Sequence, residues 1–307
     1  MIPMSKRHRL QSAFAMSAMA LGFWAVTVPA SALIVQPSGG ATLPTDLPLD
    51  AVGTWGSNAA AVAVAPGWVL TTRHQNSLAS PANVNVVIDG NTYVTDVANQ
   101  ILFDSGGNTV DLRLVPILDG SGDPAELTSF VEVYSGSLAI PTLSAITGFG
   151  PTIGSPDTDG FDWMGTFTNT NGLNVGQNNI DLVSDLTEGT YSGMSVLVAD
   201  FDELGIGGSV DFEATGSFAD SGGAWFVNDG GTWKITGLTH SVQLDGDDQI
   251  PADGAGSFEA QAFFGQQFFA VDVRDFATTI NNIPEPTSLT LLLNGTALLG
   301  TRRRRDA

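Results

Sequence analysis

A hydroxyl set between an acid and two glycines, Ala219-Asp220-Ser221-Gly222-Gly223, is the stretch of this chain best suited to covalent chemistry. Glycines permit a tight turn, the turn displays the serine, and neighbouring backbone N–H groups can converge where an oxyanion would form. Asp-Ser-Gly-Gly recurs at Asp104-Ser105-Gly106-Gly107, and in either place it is also ordinary turn chemistry. A serine nucleophile needs a base. Of the 3 histidines, His8 lies in the N-terminal leader described below, which leaves His74 and His240. His74 follows the apolar run Trp68-Val69-Leu70-Thr71-Thr72, so it stands at a strand end. Asp111, at the start of the apolar stretch Val110 to Val115, could hold the ring of such a histidine or could be a turn acid. His240 either faces a cleft or is an ordinary strand residue, the plainer reading.

The elements that must position these groups read almost entirely as strand. Ala59 to Ala65, Trp68 to Thr72, Val84 to Ile88, Val110 to Ile117, Ser195 to Ala199, Ala224 to Val227 and Trp233 to Leu238 are short. They are rich in β-branched, aromatic or small apolar residues and bounded by Gly, Asn and Asp. Asn228-Asp229-Gly230-Gly231 predicts a hairpin turn. Val273, Phe276 and Ile280 follow helical spacing before Pro284, which predicts one short C-terminal helix. The expected fold class is all-β, a barrel or sandwich, preceded by a Gly/Pro-containing lead-in over 33–50.

Several of these segments together resemble the trypsin-like serine proteases. Trp68-Val69-Leu70-Thr71-Thr72-Arg73-His74 is similar to the run ending in that family's histidine, with Arg73 in place of a small residue. Val110-Asp111-Leu112-Arg113-Leu114 resembles its aspartate strand, and Asp220-Ser221-Gly222-Gly223 followed by a hairpin resembles its serine segment. Gly148-Phe149-Gly150 is similar to a Gly-aromatic-Gly motif between the two, and the terminal helix matches the family's ending. Ser105 precedes Asp111 and leaves no room for a second barrel, so it is set aside. The resemblance runs from about Ala51 to Ile280, the core of a domain over 51–282. It implies two antiparallel six-stranded barrels with the site between them, and a triad of His74, Asp111 and Ser221. It also implies an oxyanion hole from the backbone of Ala219 and Ser221, and Thr215 at the base of a specificity pocket without an acid to select Arg or Lys. Asp220 would pair with a new amino terminus at Ile34-Val35 if Leu33 were trimmed. Three departures stand out: Ala219 where glycine is usual, Ala224 where proline is usual, and His240-Ser241 on the substrate strand. They leave open a secreted serine endopeptidase, a catalytically impaired surface or matrix binding protein on the same fold, and an esterase using the same triad.

Residues 1–32 carry Lys6, Arg7 and Arg9, an apolar stretch and Ala30-Ser31-Ala32, the pattern of a secretory signal peptide cleaved before Leu33. Ile283-Pro284-Glu285-Pro286, an apolar segment from Thr287 to Gly300 and the run Arg302 to Arg305 resemble a PEP-CTERM sorting signal over 283–307. That resemblance implies a Gram-negative bacterium, export to the cell surface or polysaccharide matrix, and removal of the tail by an exosortase. Signal peptidase and exosortase are then processing partners, with transient inner-membrane association through the tail. Seven of the 11 basic residues and two of the 32 acids fall in these end segments. The remaining 4 basic and 30 acidic residues give a net charge near −26, which repels nucleic acid and anionic lipid. The chain has 0 cysteines, hence no disulfide and no thiolate metal site. Asp245-Gly246-Asp247-Asp248 and Asp157-Thr158-Asp159 offer oxygen ligands that calcium could use, but they lack the spacing of an EF-hand loop and read as solvated surface. No cofactor or catalytic metal is expected; the expected partner is a protein or peptide substrate.

Overall fold

The computed structural model describes residues 33–36, 42–75, 82–156, 159–164, 172–187, 189–243 and 261–284. The signal-peptide segment, the tail from residue 285, the acidic loop Asp245 to Asp248, and Asp157 and Thr158 lie outside the described residues. The described chain is mostly β, with one α-helix, α1 (Ala277–Asn281), where the sequence expects it.

After a short β1 (Ile34–Val35) come β2 (Val52–Trp55), β3 (Ala59–Ala65), β4 (Trp68–Thr71), β5 (Asn85–Ile88), β6 (Asn91–Thr95), β7 (Ile101–Ser105) and β8 (Asn108–Leu118). Their order is β4-β3-β2-β5-β6-β8-β7, and β4 also pairs with β8. Six strands therefore close a ring, with β7 added outside on β8. Strand β3 is buried along its whole length, which explains why it reads as an unbroken apolar run of alanine and valine instead of alternating. Gly53 is required by close approach, since a Cβ there would lie 2.2 Å from the Val87 carbonyl oxygen.

The second half comprises β9 (Thr142–Gly148), β10 (Thr152–Pro156), β11 (Gly160–Met164), β12 (Asn174–Ile180), β13 (Leu182–Asp185), β14 (Ser195–Phe201), β15 (Ala214–Thr215), β16 (Ala224–Asp229), β17 (Thr232–Val242), β18 (Gln261–Phe263) and β19 (Gln266–Asp272). Seven of these form an antiparallel sheet in the order β12-β9-β16-β17-β19-β14-β13. Its two edges, β12 and β13, are consecutive in the chain and separated by Asp181 alone, whose N–H bonds the Val198 carbonyl of β14 at 2.9 Å. The sheet thus curls until its edges belong to one bent segment. Two six-stranded barrels were expected. The first sheet is a closed six-stranded ring with an extra strand; the second has seven strands and no ladder between its edges, because the chain breaks at Asp181. Inside it, Trp225 and Phe268 are fully buried, with ring centroids 4.8 Å apart. A Trp225→Ala cavity there would cost about 3–5 kcal/mol.

The lead-in is not loose throughout. Leu33 and Ile34 are fully buried, Ile34 pairs with Thr215, and the Gln36 N–H bonds the Glu213 carbonyl at 2.8 Å. Sequence reasoning missed several strands, including β6, β12 and β13, because their polar content (Asn91-Thr92, Gln177-Asn178-Asn179) reads as loop.

Burial raises two buried carboxyls, Glu213 to about 8 and Asp220 to about 6. A carboxyl raised in the fold stabilises it while protonated, and that contribution is lost as pH rises through the folded value. Asp111 acts oppositely: it is held at about 2, so its contribution is lost only as pH falls through that value. The urea midpoint should therefore be higher at pH 5 than at pH 8.5, by a difference on the order of a few kcal/mol that Glu213→Gln largely removes. A midpoint that is flat or rises towards pH 8.5 would contradict this.

Candidate active site

The pairing of β4 with β8 decides where the histidine goes. Thr71 faces Arg113, so continuing the antiparallel register two residues sets Asp111 beside the turn that carries Arg73 and His74. The backbone N–H of His74 donates to Asp111 Oδ1 at 2.7 Å, and its ring Nδ1 lies 2.6 Å from Asp111 Oδ2. Its Nε2 lies 2.9 Å from Ser221 Oγ. The three residues expected to act together are therefore in one hydrogen-bonded line, although Asp111, in β8, and Ser221, in the loop before β16, are 110 positions apart.

Asp111 is fully buried. Burial by itself would raise its pKa, but hydrogen bonds from His240 and His74 and their partial charges more than offset it and hold the carboxyl at about 2. It is ionised through the neutral range. Arg113, also buried, lies 4.5 Å over the Trp55 ring and donates through Nη2 to the Gln75 carbonyl. Burial lowers its pKa to about 10 against the pull of Asp111, so it stays cationic.

Ser221 sits on a loop that both sheets hold. The N–H of Ala60, in β3, donates to the Ser221 carbonyl at 2.8 Å, and Thr71 Oγ1 donates to the Ala60 carbonyl at 2.7 Å. From the other side, the Gly222 N–H bonds the Thr239 carbonyl and the Thr239 N–H bonds the Gly223 carbonyl, at 2.9 and 2.8 Å. The glycines follow from this crowding. A Cβ on Gly222, whose φ is +83°, would lie 2.2 Å from the Ala60 oxygen, and one on Gly223 2.1 Å from the Thr147 oxygen. Ala219 has a φ of +73°, a left-handed conformation that costs a residue with a Cβ roughly 1–2 kcal/mol. Among the described residues, the N–H groups of Ala219 and Ser221 have no hydrogen-bond acceptor. Two donors left unpaired beside a serine are suited to an oxyanion.

Asp220 turns away from the site. Its carboxylate accepts the Gly150 N–H at 2.8 Å, the Ser217 N–H at 2.8 Å and the Ser217 hydroxyl at 2.6 Å. Gly148 and Gly150 are needed there, because a Cβ on Gly148 would lie 2.0 Å from Asp220 Oδ1 and one on Gly150 2.2 Å from the Phe218 oxygen. The expected pairing of Asp220 with an amino terminus at Ile34 belongs to a chain trimmed at Leu33; in the untrimmed chain the carboxylate has other partners. Gly150 and Ser217 satisfy the carboxylate, while Ile34 is buried in β1 against β15. Thr215, expected at the base of a specificity pocket, is fully buried in β15, pairs with Ile34 and has its hydroxyl 3.4 Å from Gln266 Oε1. Ser105 lies in the β7–β8 hairpin turn facing Asn108, with Gly106 and Gly107 at φ +57° and +88°, which agrees with setting it aside.

Two residues join the site that the sequence did not assign to it. Gln75 Nε2 lies 2.6 Å from His74 Nε2, a second polar partner on the nitrogen that faces Ser221. His240 Nδ1 lies 2.6 Å from Asp111 Oδ2, the same oxygen that His74 contacts. Period-two alternation along β17 could have placed His240 on one face of the strand, but only the pairing of β17 with the serine loop through Thr239 brings it to Asp111. His74, Asp111 and His240 offer ligand atoms within 4.8 Å of one another, a nitrogen and oxygen set a divalent transition ion could use, yet the facing atoms already bond each other.

No family model matches the chain, and no characterised protein matches it in a search of the curated proteins.

Replacing Ala219 with glycine should relieve the left-handed strain and raise stability by about 1 kcal/mol in urea titration, net of the extra entropy of glycine in the unfolded chain. Unchanged or lower stability would mean that the loop does not hold this conformation in solution.

Proposed function

We propose that the chain is a serine hydrolase of the trypsin-like, double-barrel kind, acting as an endopeptidase with His74, Asp111 and Ser221 as its triad. One observation carries the reading: the unbroken line Asp111 Oδ2 to His74 Nδ1 and His74 Nε2 to Ser221 Oγ, at 2.6 and 2.9 Å, beside two unpaired backbone donors. With Asp111 ionised, Nδ1 of His74 carries the proton and Nε2 is free to accept one. Ser221 Oγ attacks a substrate carbonyl, its proton passes to His74 Nε2, and the carbonyl oxygen takes the negative charge. The N–H groups of Ala219 and Ser221 bind that oxygen, a contribution of about 3–4 kcal/mol per donor in comparable sites. His74 then returns the proton to the leaving amine as the C–N bond breaks, and water repeats the sequence to release the acyl group. The signal-peptide pattern and the PEP-CTERM resemblance extend the proposal to a surface or matrix enzyme of a Gram-negative bacterium, acting on protein or peptide.

A binding protein with impaired turnover is the second reading. Gln75 favours it, because an amide 2.6 Å from His74 Nε2 competes with Ser221 for the one lone pair that the reaction needs.

Hydrolysis of an unfolded protein and of a small acyl ester separates the readings. The first predicts cleavage of both, lowered by at least about 10⁴-fold in Ser221→Ala and unchanged in Ser105→Ala. Ester cleavage alone would make the protein an esterase. No hydrolysis of either by the folded wild type would favour the binding protein.

A further inference from the structure

We propose that His240 is a positioning residue of this site: it donates its Nδ1–H to Asp111 Oδ2 and fixes the carboxylate that His74 depends on. The inference rests on the serine reading above.

Asp111 Oδ2 has two imidazole Nδ1 atoms at 2.6 Å, from His74 and His240, and Oδ1 accepts the His74 backbone N–H at 2.7 Å. The rings meet edge to face, with centroids 5.6 Å apart. A buried carboxylate in this arrangement is fixed from both sides and cannot rotate when the His74 ring takes up a proton. Tyr191 packs edge-on against His240 with centroids 5.8 Å apart, and holds that ring in place. The shared oxygen has a second consequence. While Ser221 attacks, the proton moves from Ser221 to His74 Nε2, and among the described residues Asp111 is the counter-charge touching the new imidazolium. The same carboxylate oxygen serves both rings, so its position sets the geometry of both.

Few other groups face this cluster. Tyr191, raised to about 12 by burial and by Asp111, and Arg113, at about 10, do not titrate between pH 5 and 9. Arg73 stands 3.9 Å from Asp104 at the rim. Asp220, behind Ser221 and raised to about 6, does titrate in that interval, so a pH profile is informative only as a comparison between variants.

Two measurements on the full chain test the proposal. Proton NMR of Ser221→Ala, which needs no activity, should show two imidazole N–H signals downfield of the amide envelope, one of which His240→Asn removes. The rate of acylation by a small ester as a function of pH should fall about 10- to 100-fold in His240→Phe, which keeps a ring but has no donor. His240→Asn, which keeps a donor, should restore most of that loss. A single downfield signal, or a His240→Phe variant acylated as fast as wild type, would overturn the role of His240 and leave the serine reading standing. A wild type that is not acylated at any pH would instead remove the serine reading, and this inference with it.

Discussion

Asp111 carries a negative charge while fully buried, and the join between the two sheets is arranged so that the charge can be kept. An isolated buried carboxylate would protonate. Here a backbone N–H and two imidazoles donate to it, and a buried guanidinium two residues along the same strand balances the field. His74 comes from the turn after β4, His240 from β17 of the other sheet, and Asp111 from β8. Folding the domain and assembling the site are therefore the same event. Either sheet alone would leave Asp111 without one of its ring partners.

The serine loop depends on that join as well. Ser221 is presented by a turn from the second sheet, but its carbonyl is held by Ala60 of the first, and the space left for the turn is so tight that only glycine fits at 222 and 223. Ala219 takes a strained conformation at the place where strain has a use, since the unpaired N–H groups of Ala219 and Ser221 flank the serine. Asp220 anchors the same loop from behind through Gly150 and Ser217.

Much of this was legible in the sequence, for physical reasons that can be traced. The strand before His74 and the strand of Asp111 are apolar runs because both are buried in a closed ring. The Asn-Asp-Gly-Gly hairpin appears at β16–β17 as its turn residues require, with Gly230 and Gly231 at φ +62° and +96°. Order along the chain was enough to choose Ser221 over Ser105. What remained hidden depends on contacts across the fold. His240 joins Asp111 only through strand pairing, Gln75 reaches back onto its own neighbour, Asp220 is satisfied by residues 148–150 and 217, and Asp181 divides a strand that sequence pattern read as loop.

The account stands on one claim, that His74 and Asp111 activate Ser221 and no other serine. Reaction of the purified protein with a fluorophosphonate, followed by mass spectrometry of the modified peptide, tests it directly, because such reagents trap a serine only where a neighbouring base has activated it. The account predicts a single adduct on Ser221, abolished by His74→Ala and by prior unfolding, with Ser105 unmodified. A folded protein that takes no label, or takes it elsewhere than Ser221, would contradict it.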